Sequence, residues 1–313
     1  MLRREMRQNC NNWLIADVGA TSSRCAILVD GELRDVREYR NDSADSLEAL
    51  LREYLDSTAL TATACALAVA APIDGDAVQM INRDWAFDKA SIAELGFDNV
   101  EFLNDFHAIA WALPCFDDGS RAEIGTASQY REGNIAVLGP GSGLGMAAWI
   151  QGSIMSGEGG HITIGGRNQR EDEIIARIRD RYGHCSAERL LSGPGLAALH
   201  EAIHEERPAR PEDITADPAE PKAAATLQQF FLFLGSAAAE LALITGAYGG
   251  VYIAGGIVPS VIDALQASGF RERFEDKNRY TDYMRAIPTW VITDPYPGLT
   301  GLRAFISQGS RRP

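Results

Sequence analysis

The chain is 313 residues long, 46% apolar and 23% charged, without a low-complexity tract; this is the composition of a globular protein large enough for two domains. Its net charge of -14 argues against nucleic acid or an anionic membrane as a partner, since either needs a concentrated positive surface, and a small-molecule function is favoured. Cys10, Cys25, Cys65, Cys115 and Cys185 lie far apart with no CxxC or CxxxH spacing, as expected of reduced thiols in a cytoplasmic protein and not of a disulfide frame or zinc site.

The N-terminal MLRREMRQNCNNW is basic but lacks the apolar region of a signal peptide, so no export is expected. Trp13 to Val18 and Arg24 to Val29 read as strands, and Asp30-Gly31 as a hairpin turn into a third strand, Leu33 to Tyr39. Ser46 to Leu55 has helical periodicity, with Asp45 or Ser46 as its cap. Cys65 to Ala71 is a buried strand stopped by Pro72, and Val100 to Leu103 is another. This alternation predicts an α/β architecture.

After Pro114 the pattern restarts. Asn134 to Leu138 runs into the bend Gly139-Pro-Gly-Ser-Gly-Leu-Gly145, and Met146 to Ile150 returns. Ile15-Ala16 and Gly19 match Ile135-Ala136 and Gly139 at one offset, which suggests a duplicated strand-bend-strand unit. Helices are expected over Glu171 to Tyr182, Ala187 to Glu205 around a Ser192-Gly-Pro-Gly195 break, and Ala223 to Thr245. The uncharged run Ala223 to Ala239 is 17 residues, below spanning length, and reads as a buried helix. Glu206 to Pro221, rich in Pro, Asp and Glu, reads as an exposed connection, and Gly249 to Gly256 as a buried strand framed by glycine pairs.

Glycine bends after strands suit polyphosphate, because a backbone without side chains approaches closely and turns several N–H groups to one anion. Thr21, Ser22, Ser23 and Ser142 add donors. Asp17 would repel phosphate unless a divalent cation stood between them, which assigns it to a Mg²⁺ shell; the competing reading is a glycine-rich hairpin whose Asp caps its own turn. Neither bend fits GxxxxGK[ST] or GxGxxG. Asn104 and Asp105 follow a strand, where α/β ligands bind. Glu158 and His161 lie on a glycine loop, and Glu188 is expected near the start of a helix. Together these groups suit the vicinal hydroxyls of a neutral ligand. A metal site competes, without HExxH or paired-His spacing to support it; Glu188 alone reads as a solvated helix residue, and His107 and His184 as structural.

The segments IADVGATSSR, APIDGDAVQMINRDWAF, LNDFHAIA, GPGSGLG, SGEGGH, GHCSAERLLSGPGL, GGVYIAGGIVP and PGLTG resemble the bacterial glucokinases of the hexokinase, actin and Hsp70-like ATPase superfamily, from about Leu14 to Phe305. The resemblance implies ATP-dependent phosphorylation of the glucose 6-hydroxyl. It implies a two-domain actin-like ATPase (ribonuclease H-like) fold with a central cleft, residues 1–115 completed by 300–313 forming a small domain and 116–299 a large one. Carried over position by position, Asp105 is the general base, and Asn104, Glu158, His161 and Glu188 hold sugar hydroxyls. Ala16, Asp17, Val18, Gly19, Ala20 and Thr21 form the first phosphate loop, with Asp17 reaching Mg²⁺ through water. Gly139, Gly141, Ser142 and Gly143 form the second, and Gly255 and Gly256 lie against adenosine. A cytoplasmic homodimer using ATP and Mg²⁺, without nucleic acid or membrane, is implied as well. The family's first loop usually reads DxGGTxxR with Asn after the Thr, whereas Ala20 and Ser22 stand here; if that second glycine serves a positive φ, Ala20 costs roughly 1 kcal/mol. The alternatives are a related kinase for fructose or mannose and a non-catalytic sugar-sensing protein; the nearest rival, the repressor and kinase (ROK) family, is disfavoured because its cysteine-rich zinc motif and a basic helix-turn-helix segment are missing from the sequence.

Overall fold

In the computed structural model the described residues are 12–81, 83–206 and 210–309. The basic segment up to Asn11, with Cys10, lies outside them. The chain divides into two units, Met1–Cys115 with Pro295–Pro313, and Phe116–Asp294.

The first unit is built on β1 (Trp13–Val18), β2 (Ser22–Val29), β3 (Glu32–Arg40), β4 (Ala64–Val69) and β7 (Asn99–Asn104), while β5 (Ala77–Gln79) and β6 (Ala86–Asp88) pair apart as a small hairpin. The five-stranded sheet runs in the order β3-β2-β1-β4-β7. β1 pairs antiparallel with β2 and parallel with β4, and β4 pairs parallel with β7. The parallel register aligns Val18 with Val69 and Val69 with Asn104, so β1, β4 and β7 end level at their carboxyl edge. Leu14, Ala16 and Val18 join the core formed with Leu47, Leu50, Leu51 and Tyr54 of the helix Leu47–Ser57, which Ser46 caps by accepting from Ala49 N. The alternation of a strand sends Ile15 and Asp17 to the opposite face, where the helix Pro297–Gly309 packs.

That C-terminal helix also runs against the helix Asp105–Ala112, and the PGLTG motif explains how. A Cβ added to Gly301 would come within 1.8 Å of the Ala108 carbonyl oxygen. A Cβ added to Gly298 would meet the Asp17 carboxyl carbon at 2.7 Å. Both glycines are close approaches of helix backbone to a neighbour.

The second unit comprises β8 (Arg121–Glu123), β9 (Ile135–Pro140), β10 (Leu144–Ile150), β11 (Ser153–Gly157), β12 (Gly250–Ile253) and β13 (Thr289–Ile292), ordered β11-β10-β9-β12-β13-β8. β9 is antiparallel to β10 and parallel to β12, which is parallel to β13. The first five strands of this sheet therefore repeat the order and direction of the first unit's sheet, extending the short match between Ile15 to Gly19 and Ile135 to Gly139 to a whole topology.

Three expectations change. The helix predicted from Ala187 begins at Gly193 and ends at His204, because Ser192 caps it by accepting from Gly195 N and Pro194 sits in its first turn. Residues 187–192 form the turn before it. Within the predicted connection Glu206 to Pro221, Pro211–Ala216 is a short helix, and Pro221 opens the next one. That helix, Pro221–Thr245, is 25 residues long with a mean hydropathy of 1.5 in its most apolar stretch, enough to cross a membrane by length and composition. The helix is longer than the 17-residue run Ala223 to Ala239 that led to a length below spanning, but 67% of that apolar stretch is buried, with Phe230, Phe231, Phe233 and Leu234 in the core beside Leu138, Val251 and Ile253. Cys25, Cys65 and Cys185 are buried free thiols and Cys115 is an exposed one.

Because the Gly301 contact is with main chain and cannot be relieved by a side-chain turn, Gly301→Ala should separate the two helices. Overpacking of this kind costs about 1–3 kcal/mol, so the urea midpoint should fall. An unchanged midpoint would contradict the packing described.

Candidate active site

In the first unit, the bend Gly19-Ala20-Thr21 joins β1 to β2, with Gly19 N donating to Ser22 O at 3.1 Å. Neither Gly19 nor Ala20 takes a positive φ. The strain expected at Ala20 is therefore absent, because its backbone occupies a region any residue adopts. A residue that the sequence reading missed holds this bend: Asn41, fully buried, donates through Nδ2 to Gly19 O and through its backbone N–H to Thr21 O. No motif marks it; only burial distinguishes it from any polar residue at a strand end.

Asp17 and Asp105 stand at the carboxyl edge of the sheet. Asp17 is the penultimate residue of β1, and Asp105 opens the helix that follows β7. Both retain some accessible surface but are closely surrounded by protein. Burial, and then the charge of Asp17, push the Asp105 carboxyl up to about 7, against the lowering effect of the N–H and amide donors around it. Burial likewise raises Asp17, while Arg24, paired with Glu38 at 2.8 Å, pulls it down.

Asn104 caps the Asp105–Ala112 helix. Its Oδ1 accepts from Phe106 N at 3.0 Å and His107 N at 3.2 Å, and its Nδ2 donates to Ala71 O and to Asp105 Oδ1 at 2.9 Å. All four of its polar positions are thus engaged: three fix the helix start and the Asp105 carboxylate, and the fourth ties Asn104 to Ala71 beyond the neighbouring strand. Burial lowers the pKa of His107.

In the second unit, β9 and β10 pair as far as Gly139 with Gly145 and Pro140 with Leu144, leaving Gly141-Ser142-Gly143 as the bend. Gly141 N donates to Gly143 O at 2.8 Å, and Gly193 N donates to Gly141 O at 2.7 Å. Glu188 lies in the turn before the Gly193–His204 helix and is not the solvated helix residue expected. Its Oε2 accepts from Leu144 N at 2.9 Å, and a Cβ on Gly143 would meet it at 2.6 Å. Its own N–H donates to Gly160 O, so the turn holding Glu158 and His161 is tied to the same loop. Glu158 and His161 are exposed, 4.0 Å apart. Gly255, at φ +85, has no room for a Cβ, which would lie 2.2 Å from Pro140 O; at Gly256 the space is open. A recess of about 170 Å³ borders Ser142, Glu188, Arg189 and Ser192.

The expected residues fall into two groups: Ala16 to Thr21, Asn104 and Asp105 within the first unit, and Gly139 to Gly143, Glu158, His161, Glu188, Gly255 and Gly256 within the second. Among the described residues no three His, Cys, Asp or Glu gather into a metal-binding cluster.

A sequence model of the family described as Glucokinase matches residues 14–309. The chain belongs to the glucokinase family. Over 94% of its length it is 38% identical to the glucokinase of Erwinia tasmaniensis, covering 97% of that protein. The crystal structure of glucokinase from an Antarctic psychrotroph superposes with a TM-score of 0.85 at 31% identity, covering 95% of this chain and 99% of that one. A ROK family glucokinase from Streptomyces griseus, in complex with glucose and AMPPNP, shares the fold, with a TM-score of 0.61 at 17% identity over 95% of this chain and 99% of the other.

The raised Asp105 carboxyl gives this glucokinase-family chain a pH-dependent liability. With a folded-state value of about 7 against an ordinary 3.8, the folded protein holds the proton more tightly than the unfolded chain does. The contribution is fully present below the ordinary value and is lost as pH rises to the folded one. Asp105→Asn is uncharged at every pH, so its melting temperature relative to the parent should climb between pH 4 and 7 and level off above. A difference that stays constant across that range would mean that Asp105 titrates normally.

Proposed function

We propose that the protein is a glucokinase, transferring the γ-phosphoryl group of ATP to the 6-hydroxyl of glucose. The observation that carries the reading is Asp105, held at a strand's carboxyl end by Asn104 and Phe106 N with its carboxyl near 7. Family membership and the two glycine bends support it.

In this reading the glucose 6-oxygen attacks the γ-phosphorus, and the bond from that phosphorus to the β–γ bridging oxygen breaks. ADP leaves, and the hydroxyl proton passes to a carboxylate oxygen of Asp105. A base with a pKa close to the working pH combines a useful ionised fraction with real proton affinity. Asn104 positions that base; Glu158, His161 and Glu188 accept from or donate to the remaining sugar hydroxyls. Glu188 also fixes the second bend, so sugar and phosphate contacts are mechanically linked. N–H groups of the bends at Gly19 to Thr21 and Gly139 to Gly143 that the bends do not use themselves donate to phosphate oxygens; Gly255 packs against Pro140 of the second bend and Gly256, with open space beside it, leaves room for adenosine. Phosphoryl transfer asks mainly for such positioning and charge neutralisation.

Magnesium fits these residues. It characteristically takes one or two carboxylates together with waters and phosphate oxygens, and Asp17 offers a lone carboxylate whose charge already acts on Asp105. Asp17 would hold the ion through water, and the bound ion would neutralise phosphate charge. The proposal includes the actin-like two-domain form implied by the sequence, with residues 1–115 and 300–313 as the small domain, and a cytoplasmic homodimer.

The test is ADP release with glucose, fructose and mannose in turn, for the parent and for Asp105→Asn. The parent should prefer glucose. The variant keeps the size and a hydrogen-bonding group but cannot accept the proton, so turnover should fall about 10²- to 10⁴-fold, while calorimetric glucose affinity weakens far less. Preference for fructose or mannose would favour the related-kinase alternative, and glucose binding without ADP release a sensor.

A further inference from the structure

The nucleotide loop of the first unit is held from behind by one side chain. Asn41 has no exposed surface, and every polar group it carries is engaged. Nδ2 donates to Gly19 O at 2.8 Å; Oδ1 accepts from Ser23 Oγ at 2.7 Å; the backbone N–H donates to Thr21 O at 2.9 Å; and the backbone carbonyl accepts from Arg83 Nη1 at 3.0 Å. Three of these bonds reach the start, the end and the far flank of the bend. The fourth anchors Asn41 itself, since Arg83 also pairs with Asp42 and lies 4.8 Å over the ring of Trp85, which is buried in the core of the first unit.

The consequence follows from peptide geometry. In a trans peptide the C=O and the next residue's N–H point in opposite directions. Pinning the Gly19 carbonyl onto Asn41 therefore turns the Ala20 N–H away from Asn41. That N–H has no hydrogen-bond partner among the described residues. An oriented, unengaged backbone donor is what a phosphate oxygen requires.

We infer that Asn41 is the positioning residue that sets the phosphate-receiving shape of the Gly19-Ala20-Thr21 bend, and through it the affinity for nucleotide; the inference rests on the kinase reading above. Only asparagine joins a donor and an acceptor at this reach. Aspartate would face the Gly19 carbonyl with an acceptor, and serine would be too short to bridge Gly19 and Ser23.

The test measures AMPPNP and glucose binding separately by calorimetry on the full chain, with far-ultraviolet circular dichroism as a fold check. Asn41→Asp should weaken AMPPNP roughly tenfold, the scale of a lost buried hydrogen bond left unpaired, with glucose affinity within about twofold of the parent. Ser23→Ala leaves Asn41 in place but removes the hydroxyl that orients its amide; it is the variant to use if Asn41→Asp does not fold, and should weaken AMPPNP by a few-fold, again without touching glucose. Unchanged AMPPNP affinity in a folded variant overturns the inference, as does a parallel loss of both ligands, which would mark Asn41 as merely structural. Failure of the parent chain to bind AMPPNP overturns it together with the kinase reading, and is recognisable because it appears before any substitution.

Discussion

Two carboxylates at the level edge of a parallel sheet are the constraint on which the rest of the first unit depends. β1, β4 and β7 end in register, so Asp17 and Asp105 flank a single intervening strand, and the charge of Asp17 acts on Asp105 through a poorly solvated interior. Left alone, such a pair would lower its energy by moving apart or toward water. Here neither can move. Asp105 is fixed by Asn104 and the first turn of its helix, and Asp17 is closed in by Gly298 of the C-terminal helix. The fold therefore keeps a raised carboxyl pKa at the position where, in the proposed reaction, a hydroxyl proton is taken up.

The chain's last helix is what makes that confinement possible. It returns to the first unit after the second has been completed, and its two glycines allow its backbone to press on Asp17 and on the Ala108 carbonyl. Stability and the proposed function pull in opposite directions at this point: the same burial that raises the Asp105 pKa penalises its ionised form, the kind of cost a fold carries when it holds a functional group in an unfavourable setting.

Much of the candidate site could be read from residue types. Hairpins flanked by alternating apolar residues, a glycine bend after each, and Asn104-Asp105 at a strand end are local features, and local features survive folding. What the sequence concealed was non-local. Glu188 reads as a solvated helix residue until the turn before Ser192 brings it to Leu144 N. Ala20 looks strained only by comparison with a glycine; its φ in this chain is ordinary. Asn41 carries no signal at all, because its partners lie 18 to 22 residues back in the chain or in another hairpin. The repeated sheet order was foreshadowed by three residues, too few to reveal that five strands correspond.

Burial and the charge of Asp17 together raise the Asp105 carboxyl to about 7. Carboxyl carbon NMR of Asp105, titrated in the parent chain and in Asp17→Asn, tests this most directly. The parent midpoint should lie near 7 and move down when the neighbouring charge is removed, though not to the ordinary value, because burial remains the larger cause. A parent midpoint near 3.8, or one near 7 that ignores the loss of Asp17, would contradict it.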